Sequence, residues 1–278
     1  MSRRGVETTR QQKISSLAEH VADEYFPNGA IDPIVILKAK GITHSFGLYG
    51  DYFDGMLECK SGAFHVYANL TRLESADSPR ARFTLGHELG HYFIDEHRNG
   101  LIAGGLRHPS RCNYESRLLI EQEADLFSSH LLLPQPRLLD AAANEPKGML
   151  GIRAIASDFR ISLTATAIRY VRADLFPCTV IKWNPDGFGW KWFSQSVREA
   201  GIRKTIEERS KLPEDSATGE AFSPSEPPTT GFFARGSTAS TWFPFVGAGS
   251  ARDSILIEEA FPLGRFGVLT ILYEADAR

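Results

Sequence analysis

The sequence predicts an α+β chain, and three observations carry that reading. Apolar residues recur at helical spacing in segments opened by N-cap and proline signals. Short alternating runs with glycine turns lie between those segments. After residue 175 the character changes to strands.

Residues 8–26 carry Ile14, Leu17, Val21 and Tyr25, the stripe of a helix. In "DPIVILKAKG" Asp32 is the N-cap, Pro33 the first helical residue and Gly41 the stop. "ITHSFGLYG", "GMLECKSG" and "AFHVYANL" read as three strands, the last alternating Phe64, Val66 and Ala68 with His65, Tyr67 and Asn69. The position of that last run suggests an edge on which an extended peptide could pair. A long helix opens with Ser78 as N-cap and Pro79 at its first position. Residues 98–112 read as a loop, and a second long helix runs from near Asn113 to Leu133, closed by Pro134. Two shorter helices fill 148–173. "CTVIKW", "GWKWFSQSV", "TASTWFPFV", "SILIEEAF" and "RFGVLTILYEA" read as strands, "SVREAGIRKTIEERSKL" as a helix and 213–231 as a Pro- and Ser-rich loop.

A net charge of −3 over 278 residues gives no overall footprint for nucleic acid or membrane. The three cysteines, Cys59, Cys112 and Cys178, are odd in number and far apart, which argues against a disulfide framework and for a reducing compartment. The N-terminal stretch lacks an apolar signal region, and no apolar run reaches 18 residues. The expectation is a cytoplasmic protein without membrane contact.

The chemistry concentrates in "FTLGHELGHYFIDEH", residues 83–97. His87 and His91 stand one helical turn apart and can aim two imidazoles at one point. Zinc accepts imidazole nitrogen and prefers four-coordinate sites. Glu88 is rotated by about 100° from His87, beside the metal, where it can take a proton from an activated water. The third ligand has two candidates. His97 would lie about 15 Å along the axis from His87 if the helix continued, and Ile94 stands where a returning chain would need glycine; it is read as a surface histidine. In "EQEADLFSSHLLLP" Glu121 and Asp125 share a helix face, the arrangement in which gluzincins bind zinc through the glutamate and orient a ligand histidine through the aspartate. The alternative is a solvated acidic face of Glu121, Glu123 and Asp125. Glu123 points about 200° away from Glu121, so only one of the two can face the metal.

"FTLGHELGHYF" followed by "EQEADLFSSHLLLP" resembles the ImmA/IrrE family of zinc metallopeptidases, with Ser128 where the family has alanine. The resemblance implies a gluzincin-like minimal peptidase core over 1–145, with Zn²⁺ held by His87, His91 and Glu121, Glu88 as catalytic residue and Asp125 behind a ligand histidine. It implies a helix-turn-helix over 146–175, in "IRAIASDFRISLTATAIRYV", and a GAF-like α/β sensor domain over 176–278. The implied substrate is a helix-turn-helix repressor whose cleavage releases stress or DNA-damage genes. DNA bound through the helix-turn-helix and a small molecule bound by the C-terminal domain are further partners to test. A DNA-binding regulator with a non-catalytic zinc site is the alternative function, and a non-catalytic ligand sensor is a third. Arg153, Arg160, Arg169 and Arg172 are the basic residues of the helix-turn-helix, with Arg160 in the place of the usual turn glycine.

Overall fold

Capping chemistry fixes where the N-terminal helices begin. The computed structural model describes residues 3–104, 108–110, 118–202, 212–213, 215–224, 228–243 and 254–275. The chain divides into one unit of Met1–Leu138 with Ala156–Ser162 and a second of Leu139–Ile155 with Leu163–Arg278.

In the first unit α1 (Arg3–Tyr25) buries Ile14, Ala18, Val21 and Ala22, with Leu17 and Tyr25 packed at their margin. Asp32 caps α2 (Pro33–Ala39) by accepting from the Ile34 N–H at 3.0 Å, and Gly41 stops it at φ +70°. Strands β1 (Thr43–Gly47), β2 (Gly55–Lys60) and β3 (Ala63–Asn69) follow, then the short α3 (Leu70–Leu73). Ser78 caps α4 (Pro79–Phe93), accepting from Ala81 N–H at 3.1 Å, with proline at N1. Then come α5 (Asp95–Ile102), β4 (His108–Ser110), α6 (Leu119–Leu132) and α7 (Gln135–Asn144), which runs on into the second unit. Residues read from sequence as one loop, 98–112, thus include the end of α5 and β4. The part of the expected second helix before Leu118 lies outside the described residues.

The sheet has the order β1-β3-β2-β4, with β1 parallel to β3 and the other pairs antiparallel. β3 is therefore internal, hydrogen-bonded on both sides, and cannot serve as the edge the sequence suggested. Leu57, Val66 and Ala68 join Leu85, Leu89, Phe127 and Leu131 in one apolar core beneath α4 and α6. That core fixes the two helices that carry the candidate site.

α8 (Met149–Asp158) starts in the second unit and ends in the first, which also holds the following turn where Arg160 takes φ +54°, the conformation for which glycine is usual; α9 (Leu163–Arg172) belongs to the second unit. β5 (Cys178–Asn184), β6 (Gly187–Phe193), α10 (Gln195–Glu199), α11 (Ala217–Phe222), β7 (Phe233–Thr238), α12 (Ala239–Trp242), β8 (Ile255–Pro262) and β9 (Val268–Glu274) complete it. The sheet order is β6-β5-β9-β8-β7, antiparallel throughout. Alternation splits its residues: Ile181, Trp183, Leu256, Ala260 and Leu272 pack with Ala217, Ala221 and the fully buried Trp242. Two readings change here. "TASTW" ends β7 and forms the helical turn α12, and the Pro- and Ser-rich segment contains α11, capped by Ser216 accepting from Gly219 N–H at 2.9 Å. The expected helix from Ser196 is described only as α10; 203–211 lie outside the described residues.

Asp54 joins the loop before β2 to the start of α4. It is fully buried and accepts from Arg72 Nε at 2.6 Å and Arg80 Nη2 at 2.8 Å. Burial alone would raise its pKa, but the two guanidiniums outweigh that and hold it below the ordinary range. Asp54→Asn is expected to cost about 1–2 kcal/mol at pH 7, discounted for the partly exposed arginines. Because the native pKa lies below the unfolded value of about 3.9, this contribution is complete above roughly pH 5 and lost as pH falls through the native value. Denaturant melts of wild type and variant should therefore converge in acid; a gap equally wide at pH 3 would remove the ion pairs from the account.

Candidate metal centre

Two helices supply the site, and small residues let them meet. On α4, Gly86 and Gly90 are one turn apart; on α6, so are Ala124 and Ser128. A Cβ on Gly90 would lie 3.1 Å from Ala124 Cα, and one on Gly86 would lie 2.5 Å from Ser128 Oγ. Ser128, where the family pattern has alanine, donates to the Phe83 carbonyl at 2.8 Å and fills the space over Gly86. Below α4, a Cβ on Gly55 would strike Thr84 at 2.4 Å and Glu88 Oε1 at 2.7 Å. None of these five small positions was read from the sequence as part of the site. The helix–helix glycine spacing was the signal available for them.

The close approach brings His87, His91 and Glu121 together, all three buried. The two Nε2 atoms are 3.1 Å apart. Glu121 Oε2 lies 3.4 Å from His87 Nε2, and Oε1 lies 3.5 Å from His91 Nε2. Donors about 2.0–2.2 Å from a tetrahedral zinc are about 3.3–3.6 Å from one another by geometry. The two carboxylate–imidazole separations match that edge length and the Nε2–Nε2 distance is slightly shorter, and the set of two imidazoles and a carboxylate is one zinc accepts. These residues could therefore hold a divalent ion. Asp125 Oδ1 accepts from His87 Nδ1 at 2.8 Å, on the side of the ring away from the cluster. The acidic residues of α6 are no solvated face: Glu121, Glu123 and Asp125 are each 6–7% exposed.

The electrostatics agree with the donor set. Burial would raise Glu121, but the imidazoles of His87 and His91 outweigh it and keep the carboxylate ionised. Burial depresses His91 to about 4, so its ring is neutral near pH 7 with a lone pair to offer. Glu88 is fully buried, and neither of its oxygens has a hydrogen-bond partner of good geometry among the described residues. Burial pushes it up to about 7, opposed by His87 and reinforced by Glu121, with Ser110 and the Leu57 backbone drawing it slightly down.

His97 is not a surface histidine. α4 stops at Phe93, and Ile94 takes an extended conformation (φ −78°, ψ 111°) before α5 begins. A β-branched residue is at home there, so the chain turns without glycine. His97 is consequently 6% exposed, with Nδ1 3.2 Å from His91 Nδ1 and Nε2 2.9 Å from Glu123 Oε2. Burial lowers its pKa, with Glu123 opposing. Tyr92, the residue after His91, packs edge-on against Phe64 with Arg98 over its ring.

Gly86→Ala is expected to destabilise by about 1–3 kcal/mol, because Ser128 Oγ must leave both the added methyl and the Phe83 carbonyl. Adding Ser128→Ala should recover much of that loss, since the nearest Ser128 side-chain atom would then be Cβ at 3.4 Å. A double-mutant cycle in chemical melts checks this; strict additivity would mean the two residues do not meet.

Comparison with known proteins places this geometry. Residues 72–170 match a peptidase family described as IrrE N-terminal-like domain. Among solved structures, a Mycobacterium tuberculosis transcriptional regulator superposes with a TM-score of 0.60 at 10% identity, covering 95% of this chain and 76% of that one. At that identity the likeness is one of fold. No curated protein matches the sequence. The matched segment, about a third of the chain, contains His87, Glu88, His91, Glu121 and Asp125, and it is similar to the IrrE N-terminal-like peptidase domains.

Proposed function

We propose that this chain is a zinc endopeptidase that cleaves a helix-turn-helix transcriptional repressor and so switches on stress or DNA-damage genes. The observation that carries the peptidase reading is the convergence of His87, His91 and Glu121 within reach of a single ion beside the fully buried Glu88. The repressor as substrate rests on the family likeness and on the fold shared with a transcriptional regulator.

In this reading His87, His91 and Glu121 hold the ion, and Asp125 fixes the His87 ring with Nε2 forward. Zinc bound there would supply Lewis acidity for a water and a peptide carbonyl. Glu88 takes the proton from that water and passes it to the leaving amine, a role its position gives it: one residue on from His87, not among the donors. The peptidase-like segment spans 1–145 and the helix-turn-helix 146–175. The GAF-like sensor domain spans 176–278, supported by its antiparallel sheet with helices packed on it. Within the described residues no helix is long and apolar enough to cross a membrane.

Direct DNA binding, the second reading, is favoured by the helix pair α8–α9. Three of its four basic residues are engaged elsewhere, while Arg160 in the turn is exposed. Arg169 is buried, Arg172 sits 5.4 Å from the Trp192 ring, and Arg153 donates to the Thr230 carbonyl at 2.7 Å while lying over Phe261. A recognition helix needs such side chains free to reach bases.

The test is incubation of the purified chain with helix-turn-helix repressors from the same genome, with and without chelator, and mass analysis of fragments. Cleavage should vanish with chelator. Glu88→Gln should retain zinc while losing roughly 10²–10⁴-fold in rate. Cleavage by Glu88→Gln at the wild-type rate would remove Glu88 from the chemistry.

A further inference from the structure

We propose that His97 and Glu123, with Arg10 behind them, form a positioning relay that fixes His91 as a ligand; this rests on the metal-centre reading above. His91 turns Nε2 toward His87 and Glu121, so a metal there takes the Nε2 lone pair and the ring proton sits on Nδ1. Its neighbour at 3.2 Å, His97 Nδ1, must then be an acceptor, which puts the His97 proton on Nε2. That nitrogen is 2.9 Å from Glu123 Oε2, and a carboxylate can only accept. Glu123 is gripped in turn: Arg10 Nε donates to Oε1 and Nη2 to Oε2, both at 2.9 Å. Every link has one allowed direction, and the directions agree from Arg10 to the donor atom of His91.

The relay is the counterpart of the contact on the other ligand. Asp125 reaches His87 directly, whereas Glu123, two residues earlier on α6, reaches His91 through an intervening imidazole. Arg10 also binds Glu96 through both its Nη atoms, at 2.8 and 3.1 Å, which holds the start of α5 against α1 and so sets where His97 stands. A purely structural tie between α1, α5 and α6 is complete with Arg10, Glu96 and Glu123. It gives no reason for a buried imidazole between Glu123 and His91, since buried polar groups cost free energy unless each has its partner.

The full chain is titrated with Zn²⁺ against a chromophoric chelator. The visible bands of the Co²⁺-loaded protein and the melting of the metal-free protein are recorded alongside. His97→Phe and Glu123→Gln should each weaken Zn²⁺ by about 10- to 100-fold and alter the Co²⁺ bands. His97→Gln should lose less, because its amide can accept from His91 and donate to Glu123. Zn²⁺ affinity within twofold of wild type in both His97→Phe and Glu123→Gln, with unchanged Co²⁺ bands, would overturn the relay while leaving the metal centre standing. Loss of Zn²⁺ binding in His87→Ala is the control: if wild type itself binds no Zn²⁺ through His87, both readings fall. Should His97→Phe not fold, Glu123→Gln and Arg10→Gln decide the matter by the same criteria.

Discussion

The close packing of α4 on α6 is the constraint on which the site depends. Gly86 and Gly90 face Ala124 and Ser128 with no room for a further methyl group. Only at that separation can side chains as short as histidine and glutamate, from two different helices, bring one donor atom from each of the three residues within 4.8 Å of one another. The apolar residues on the same helices, Leu85, Leu89, Phe127 and Leu131, supply the burial that holds the pair together. Phe93 and Phe127 stack at 5.7 Å at the end of the interface.

The same packing creates an electrostatic problem. His87, Glu88, His91, His97, Glu121, Glu123 and Asp125 are all nearly excluded from solvent, and burying such groups is costly unless each has a partner. The molecule arranges them as alternating donors and acceptors, closed at the outside by Arg10 and Glu96. Glu88 stands apart: among the described residues its oxygens find no hydrogen bond of good geometry, only the looser approach of Ser110 and the Leu57 backbone. A carboxyl group kept that way in a core is poorly explained by stability and well explained by proton transfer.

Local signals were legible in the sequence. Asp32, Ser78 and the prolines after them mark true helix starts, and the alternation of Phe64 to Asn69 marks β3. The i,i+4 pairs His87/His91 and Glu121/Asp125 were enough to name four residues that the fold brings together. What failed was long-range or conformational. Strand order depends on pairings between distant segments, so nothing local told that β3 is internal. His97 was misplaced by assuming that α4 runs through Ile94; the acidic pair Asp95 and Glu96, typical of a first helical turn, was the available sign that a new helix starts there. Arg10 could not be tied to Glu123 from sequence at all, since 113 residues separate them. "TASTW" is too short for periodicity to separate a strand from a helical turn.

The central claim is that one divalent ion is held by two imidazoles and a carboxylate drawn from α4 and α6. X-ray absorption at the zinc edge of the loaded protein tests it most directly. The account predicts a first shell of light atoms at about 2.0–2.2 Å with the multiple-scattering pattern of two imidazoles. A spectrum showing sulfur ligands, or fewer than two imidazoles, would contradict it.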